Sequence, residues 1–209
     1  MTDSFLDALR ANLTSSKIDF SGQKAIFENH NPQKAPDKKN VKLSAVLILL
    51  FPYGSDGLST VMIKRVEDGS VHGGQIGFPG GQYEPADKDL VETALREARE
   101  ELSIDSDCVE VLGTLSDTYI PVSNFIVRPV VGWCSHKPVF KKNDSEVEDF
   151  FVIDLVKLIN KPHIDERIIY VRGEQVKVKG YVVGNYFIWG ATAKILAELV
   201  SYLKSSITS

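Results

Sequence analysis

Residues 73–102, GGQIGFPGGQYEPADKDLVETALREAREEL, decide how this chain is read. The first nine of them hold five glycines around Pro79, too many for an ordinary strand unless the backbone must come close to something. A helix follows. Asp89 with Glu92 three residues on resembles a capping box, and Val91, Ala94, Leu95, Ala98 and Leu102 then form one apolar stripe. At about 100° per residue, Glu97, Glu100 and Glu101 share roughly one third of the circumference beside that stripe. Like charges at these spacings repel. Arg96 lies next to Glu100 but precedes it by four, the weaker order for a helix ion pair, so a bound dication is the better counter-charge.

Carboxylates without nearby histidine or cysteine suit a hard ion, Mg²⁺ or Mn²⁺, shared with phosphate oxygens. Such an ion activates water and neutralises charge developing on a phosphoryl group, so hydrolysis of a phosphoanhydride is the natural chemistry. Gly80 and Gly81 can bring main-chain groups close to metal or phosphate without obstruction. An isolated acidic helix string is more often a solvated face. Here it follows a glycine-rich approach loop, and the combination favours a site.

Outward from this stretch, residues 43–51 and 58–64 are strand candidates joined by the turn-rich PYGSDG. Further strands are expected at 109–115, 125–133 and 168–171, with a closing amphipathic helix at 188–203. Phe5, Leu6, Leu9 and Leu13 recur at helical spacing near the start, and residues 29–40, with Pro32, Pro36 and several lysines, mark a linker. The expected organisation is an N-terminal helix and linker (1–40), one mixed α/β domain (41–204) and a short tail (205–209).

The 209 residues are 43% hydrophobic and 25% charged, enough for one sizeable domain. A formal net charge of −4 gives no field that would collect a polyanion, so nucleic acid is not the expected ligand. The longest apolar run, 45–52, is far shorter than the roughly 20 residues that span a bilayer, so no membrane partner is expected. Cys108 and Cys134 lack CxxC spacing and the chain starts MTDSFLDALR without a leader-like core, which fits the cytoplasm. Oligomeric state is not fixed by these features; a homodimer is compatible with them.

These residues resemble the signature of the Nudix hydrolase family, filled here by Gly81, Asp87, Arg96, Glu97, Ala98, Glu100, Glu101 and Ile104. Two departures stand out: one extra residue precedes Arg96, and Ser103 replaces the closing glycine. The upstream VMIKRVEDGSVHGGQIGFPGG is similar to the additional motif of the coenzyme A diphosphatase branch, matched at Arg65, His72, Gly74, Gln75, Phe78 and Pro79. TYIPVSNFIVRPVV and IWGATAKIL are similar to the same branch, so the likeness runs from about residue 44 to 203. Gly69-Ser70 stands where that motif often has Leu-Arg, so a basic contact is missing.

The resemblance implies an α/β/α sandwich with a mixed central sheet and a small nucleotide substrate related to coenzyme A, split to 3′,5′-ADP and 4′-phosphopantetheine. It implies Glu97 and Glu101 as principal metal ligands, Glu100 as a further ligand or water-activating group, a Gly80 carbonyl toward the metal, and Arg96 orienting Glu97. Arg65, His72 and Gln75 become candidate substrate contacts. Tyr119 and Phe125 can stack an adenine or simply pack the core. Glu146, in an Glu-Val pair like one of that branch, is a candidate base or metal ligand, against the plain reading of DSEVED as a solvated acidic loop. Other nucleoside diphosphate derivatives, ADP-ribose, NADH or a dinucleoside polyphosphate, remain open as substrates, and a non-catalytic ligand-binding regulator is the remote alternative.

Overall fold

An apolar run with no polar alternation belongs in a strand covered on both faces, and β1 (Lys42–Pro52) is that strand. The computed structural model describes residues 3–15, 40–53, 57–171 and 173–207. Ala45, Leu47, Leu49 and Phe51 pack with Val61, Ile63 and Val130 against Ala94, Ala98 and Leu102 of helix α2 (Leu90–Leu102). Ile48 and Leu50 face the other way, joining Met62 and Val131 against Leu196, Leu199 and Leu203 of the closing helix. The result is the α/β/α layering expected from the sequence. Each such side chain, fully buried, contributes on the order of 2 kcal/mol of gross hydrophobic stabilisation.

The sheet is mixed. β1 runs parallel to β7 (Phe125–Trp133), in register from Lys42 opposite Phe125 to Leu50 opposite Trp133. It touches β2 (Leu58–Arg65) only at its far end, Phe51 opposite Ser59. The glycine-rich stretch occupies the gap where the two strands diverge: β3 (Ile76–Gly77) adds to β2, and β4 (Gly80–Gln82) adds to β1 opposite Ser44–Val46. A Cβ on Gly80 would collide with the main chain of Ala45 and Val46, so this close approach requires glycine. β5 (Glu110–Thr114) and β6 (Thr118–Ile120) complete the β7 side, and β8 (Val147–Asp154) pairs with β2.

Several boundaries differ from the sequence expectation. β8 and the short helix α3 (Leu155–Asn160) had no periodic signal, because β8 pairs on one side only and alternates poorly. The strand expected at 168–171 is the end of a longer β9 (Ile164–Val171), which forms a separate three-stranded antiparallel sheet with β10 (Glu174–Val183) and β11 (Tyr186–Trp189). Ile188 and Trp189 therefore belong to β11. Gly190, at φ 62°, turns the chain into helix α4 (Gly190–Ile207). That helix runs through the expected tail to Ile207, with Ser206 buried. Helix α1 (Asp3–Ser15) buries Leu9 and Leu13 in the same core, and its Asn12 donates to Ser206 Oγ at 2.9 Å. The linker expected at 29–40 lies, but for residue 40, outside the described residues. Among the described residues no helix is long and apolar enough to cross a membrane.

Candidate active site

Helix α2 starts at a side-chain cap: Asp89 Oδ1 accepts from the Val91 and Glu92 amides at 2.8 and 2.9 Å. The reciprocal arm of the expected capping box lands elsewhere, since Glu92 Oε2 accepts from the Lys88 amide instead of that of the cap. At the other end Ser103 takes the left-handed conformation, φ 56° and ψ 33°, in the place of the missing glycine. Because Ala94, Ala98 and Leu102 are turned into the core, Glu97 and Glu101 run along the helix edge facing the glycine loop.

Glu97, Glu101 and Glu146 offer carboxylate oxygens that all lie within 4.8 Å of one another. What brings Glu146 there is backbone chemistry. The last carbonyls of a helix lack partners within it, and those of Glu101 and Leu102 accept from the Asn143 and Lys141 amides at 2.9 and 3.0 Å. The Glu146 carbonyl in turn accepts from the Val66 amide at 3.1 Å, and Asn143 Nδ2 donates to Glu146 Oε1 at 3.2 Å. The acidic loop is thus pinned beside the helix carboxylates.

Glu101 is fully buried. The Gly80 amide donates to its Oε2 at 2.8 Å. Its Oε1 lies 3.0 Å from Arg65 Nη2, an ion-pair distance without hydrogen-bond alignment, and has no hydrogen-bond partner. Burial pushes this carboxyl up to about 7 against the opposing pull of Arg65 and the Gly80 amide, with Glu97 and Glu146 pushing the same way as burial. Glu97 is also raised, chiefly by burial and against the pull of Arg96. Gly81 sits so close that a Cβ there would run into the Glu97 carboxylate. Three converging carboxylates and a buried oxygen without a partner fit a hard divalent cation with oxygen ligands.

Arg96 is committed to holding this arrangement. Its Nε and Nη2 clasp Asp87 at 2.9 and 3.1 Å, Nη2 also donates to the Gln82 carbonyl at 3.0 Å, and Nη1 reaches Glu97 Oε1 at 2.9 Å. Asp87 is held well below the usual carboxylate range, first by Arg96, with the Glu84 amide and the Thr93 hydroxyl adding to it. Glu100 takes a lesser place: it accepts from Arg96 Nη1 at 3.2 Å, is largely exposed, and stands outside the cluster that Glu146 joins.

The remaining sequence candidates are placed differently from one another. Arg65 points into the carboxylates, pairing with Glu101 and donating to the Gly80 carbonyl, so that carbonyl is engaged by a guanidinium. His72 Nδ1 lies 3.2 Å from Gln75 Oε1, and His72 Nε2 lies 2.9 Å from Ser123 Oγ. The Gln75 amide nitrogen donates to the Val71 carbonyl at 2.9 Å, which leaves Oε1 to accept from the histidine. Tyr119 donates to Asn124 Oδ1 at 2.8 Å, and Phe125 packs against the core beside it. Sequence reasoning missed Asp87 as the anchor of Arg96, although their nine-residue separation is readable as a loop-to-helix clasp. It also missed Asn143 and Ser123, whose contacts bridge distant segments and leave no local signal.

The sequence profile of the NUDIX domain matches residues 42–171. Curated relatives from Salmonella typhimurium and Salmonella typhi, each described as "Uncharacterized Nudix hydrolase NudL", are 34% identical over 173 residues, covering 83% of this chain and 88% of theirs. The crystal structure of a MutT/nudix family protein from Enterococcus faecalis is similar in fold, with a TM-score of 0.50 at 14% identity, over 92% of this chain and 76% of that one.

Proposed function

This chain belongs to the Nudix hydrolase family, whose enzymes split diphosphate linkages, and from that premise we propose that its substrate is coenzyme A or an acyl or oxidised derivative, cleaved to 3′,5′-ADP and the corresponding 4′-phosphopantetheine. One observation carries the reading: the three stretches that resemble the coenzyme A branch meet around β3. His72 and Gln75 of the upstream stretch are bonded to one another, and His72 to Ser123 of the middle one. Thr192 of the C-terminal stretch donates to the Ile76 carbonyl at 3.0 Å. Such a junction, beside the strand that leads into Gly80 and Gly81, is a consistent wall for the part of a substrate beyond its diphosphate.

Glu97, Glu101 and Glu146 would hold the divalent ion, Mg²⁺ or Mn²⁺. When bound, it supplies positive charge at the phosphoryl oxygens and a more acidic water. The chain's own groups prepare for this. Arg96, braced on Asp87, fixes Glu97; the Gly80 amide fixes one oxygen of Glu101, and the other, without a hydrogen-bond partner, faces the Arg65 guanidinium at 3.0 Å; Gly81 leaves clearance for Glu97. Glu146, the exposed member, either completes the ligand set or takes the proton of the attacking water. All the carboxylates such chemistry needs are present, which favours an enzyme over a silent binding module.

Gly69 and Ser70, in an exposed turn without the basic residue of the motif, favour a second substrate class of nucleoside diphosphate derivatives such as ADP-ribose. A panel of diphosphates incubated with Mg²⁺ or Mn²⁺, with products identified by mass, separates the two. Coenzyme A should exceed ADP-ribose and NADH in kcat/KM and release 3′,5′-ADP. Preference for a substrate without a 3′-phosphate overturns the coenzyme A assignment and leaves the diphosphatase intact.

A further inference from the structure

At the far end of β1 from the carboxylates, the chain gathers a second and chemically different cluster. Cys108, Cys134 and His136 offer ligand atoms all within 4.8 Å of one another. Cys134 directly follows β7, and its amide donates to the Leu50 carbonyl at 2.9 Å. Gly80 is paired with Val46 on the same strand. Four residues of β-strand, about 13 Å, separate the two levels, so the clusters are distinct.

From this geometry we propose that Cys108, Cys134 and His136 form a zinc site with a fourth position open to water. The donor set is soft, two sulfurs and an imidazole, where the active-site cluster is all oxygen, so the two select different ions. Zn–S near 2.3 Å and Zn–N near 2.0 Å put sulfur and nitrogen about 3.6 Å apart in a tetrahedral site; Cys134 Sγ lies 3.7 Å from His136 Nδ1 and 3.9 Å from Nε2, so the spacing suits a shared ion once the exposed imidazole turns one nitrogen toward it. Burial is graded as a three-ligand site needs, with Cys134 buried, Cys108 half-buried and His136 exposed.

Both cysteines are free thiols. Metal binding replaces each S–H by an S–Zn bond and releases two protons to solvent; no electrons move. The site would tie the turn that follows α2, Ser106–Cys108, to the end of β7, and so fasten the helix that carries Glu97 and Glu101.

The test uses the reduced full-length protein, titrated with Zn²⁺ against a chromophoric chelator and, separately, with Co²⁺ followed by absorption. One tight equivalent of Zn²⁺ is expected in the parent and in Glu101→Gln, and Co²⁺ should show thiolate-to-metal charge-transfer and tetrahedral ligand-field bands. Cys108→Ser and His136→Ala should weaken Zn²⁺ at least about ten-fold. His136 is exposed, so its variant keeps the test decisive if a cysteine variant folds poorly. Zn²⁺ binding that is abolished by Glu101→Gln and untouched by His136→Ala overturns the proposal. So does the absence of tight binding, or a Cys108–Cys134 disulfide as the only chemistry the pair shows.

Discussion

Asp87 and Glu101 are both buried carboxylates within reach of an arginine, yet the fold drives them in opposite directions. Asp87 receives two donors from Arg96, one from the Glu84 amide and one from the Thr93 hydroxyl, and its carboxyl is held far below the usual range. Glu101 is hydrogen-bonded at one oxygen by Gly80, faces Glu97 and Glu146, and is pushed up to about 7. Burial costs a carboxylate dearly unless hydrogen bonds compensate. At Asp87 they do, which is what a structural brace requires. At Glu101 compensation stops halfway, and the remaining charge is what a dication would neutralise.

The sharpest way to break this contrast is Glu97→Gln or Glu101→Gln, which keeps shape and removes charge. Turnover should fall at least about 100-fold, since these are the groups proposed to hold the ion. Metal-free Glu101→Gln should melt close to the parent in acid and above it once pH passes 7, where the parent's buried carboxylate is charged. Near-normal kcat in both variants would remove the metal-site assignment. The same contrast sets a pH dependence. A folded value near 7 against an ordinary 4.5 means that Glu101 contributes stability fully present below pH 4.5 and lost as pH rises through 7, on the order of a few kcal/mol. Metal-free melting temperature should therefore fall across that window, and Glu101→Gln should flatten it.

Glu146 tests whether the third carboxylate is ligand or base. If base, Glu146→Gln should lower kcat roughly 10- to 100-fold with KM little changed, and the loss should shrink at high pH, where hydroxide substitutes. If ligand, raised metal concentration should restore activity. Kinetics unchanged across both titrations would return the loop to a solvated face.

Asp87→Asn attacks the other half of the contrast. It leaves the Arg96 guanidinium short of its main partner, and should cost roughly 2–3 kcal/mol of stability with a loss of activity as Glu97 loses its brace. Asp87 contributes stability present above its ordinary 3.8 and lost as pH falls through its lowered folded value. The variant should thus lose less of its remaining stability in acid than the parent does, as read by melting scans.

Much of this was written locally in the chain. The apolar run of β1, the stripe of α2 and the edge shared by Glu97 and Glu101 follow from period alone. Glu100 illustrates the limit of that reasoning: helical geometry groups it with Glu97 and Glu101, but only the position of the partner loop decides which carboxylates are completed into a cluster. Asn143, through its bond to the Glu101 carbonyl, makes that choice, and no local pattern encodes a contact across 42 residues of chain. The β9–β11 sheet was only partly read: β9 is largely exposed and carries Asp165, Glu166 and Arg167 on both faces, so only its apolar end stood out, while the alternation Val176, Lys177, Val178, Lys179 of β10 and the short apolar β11 were legible signals that went unread.

The smallest expected effect isolates helix architecture from both carboxylates. Ser103 occupies a left-handed position at the end of α2, where its amide bonds back to the Ala98 and Arg99 carbonyls. A left-handed residue with a Cβ costs roughly 1–2 kcal/mol relative to glycine, while glycine forfeits about 0.5–1 kcal/mol through its looser unfolded chain. The strain wins by a small margin. Ser103→Gly should therefore stabilise by about 0.5 kcal/mol, a rise of roughly 1–2 °C in melting temperature for a chain of this size. Ser103 touches neither Asp87 nor the Glu97, Glu101 and Glu146 cluster, so kcat and KM should stay at the parent's values. A rise in stability with a change in kcat would mean that the end of α2 is coupled to its charged edge, and that Glu101 is tuned by the helix terminus as well as by Gly80 and Arg65.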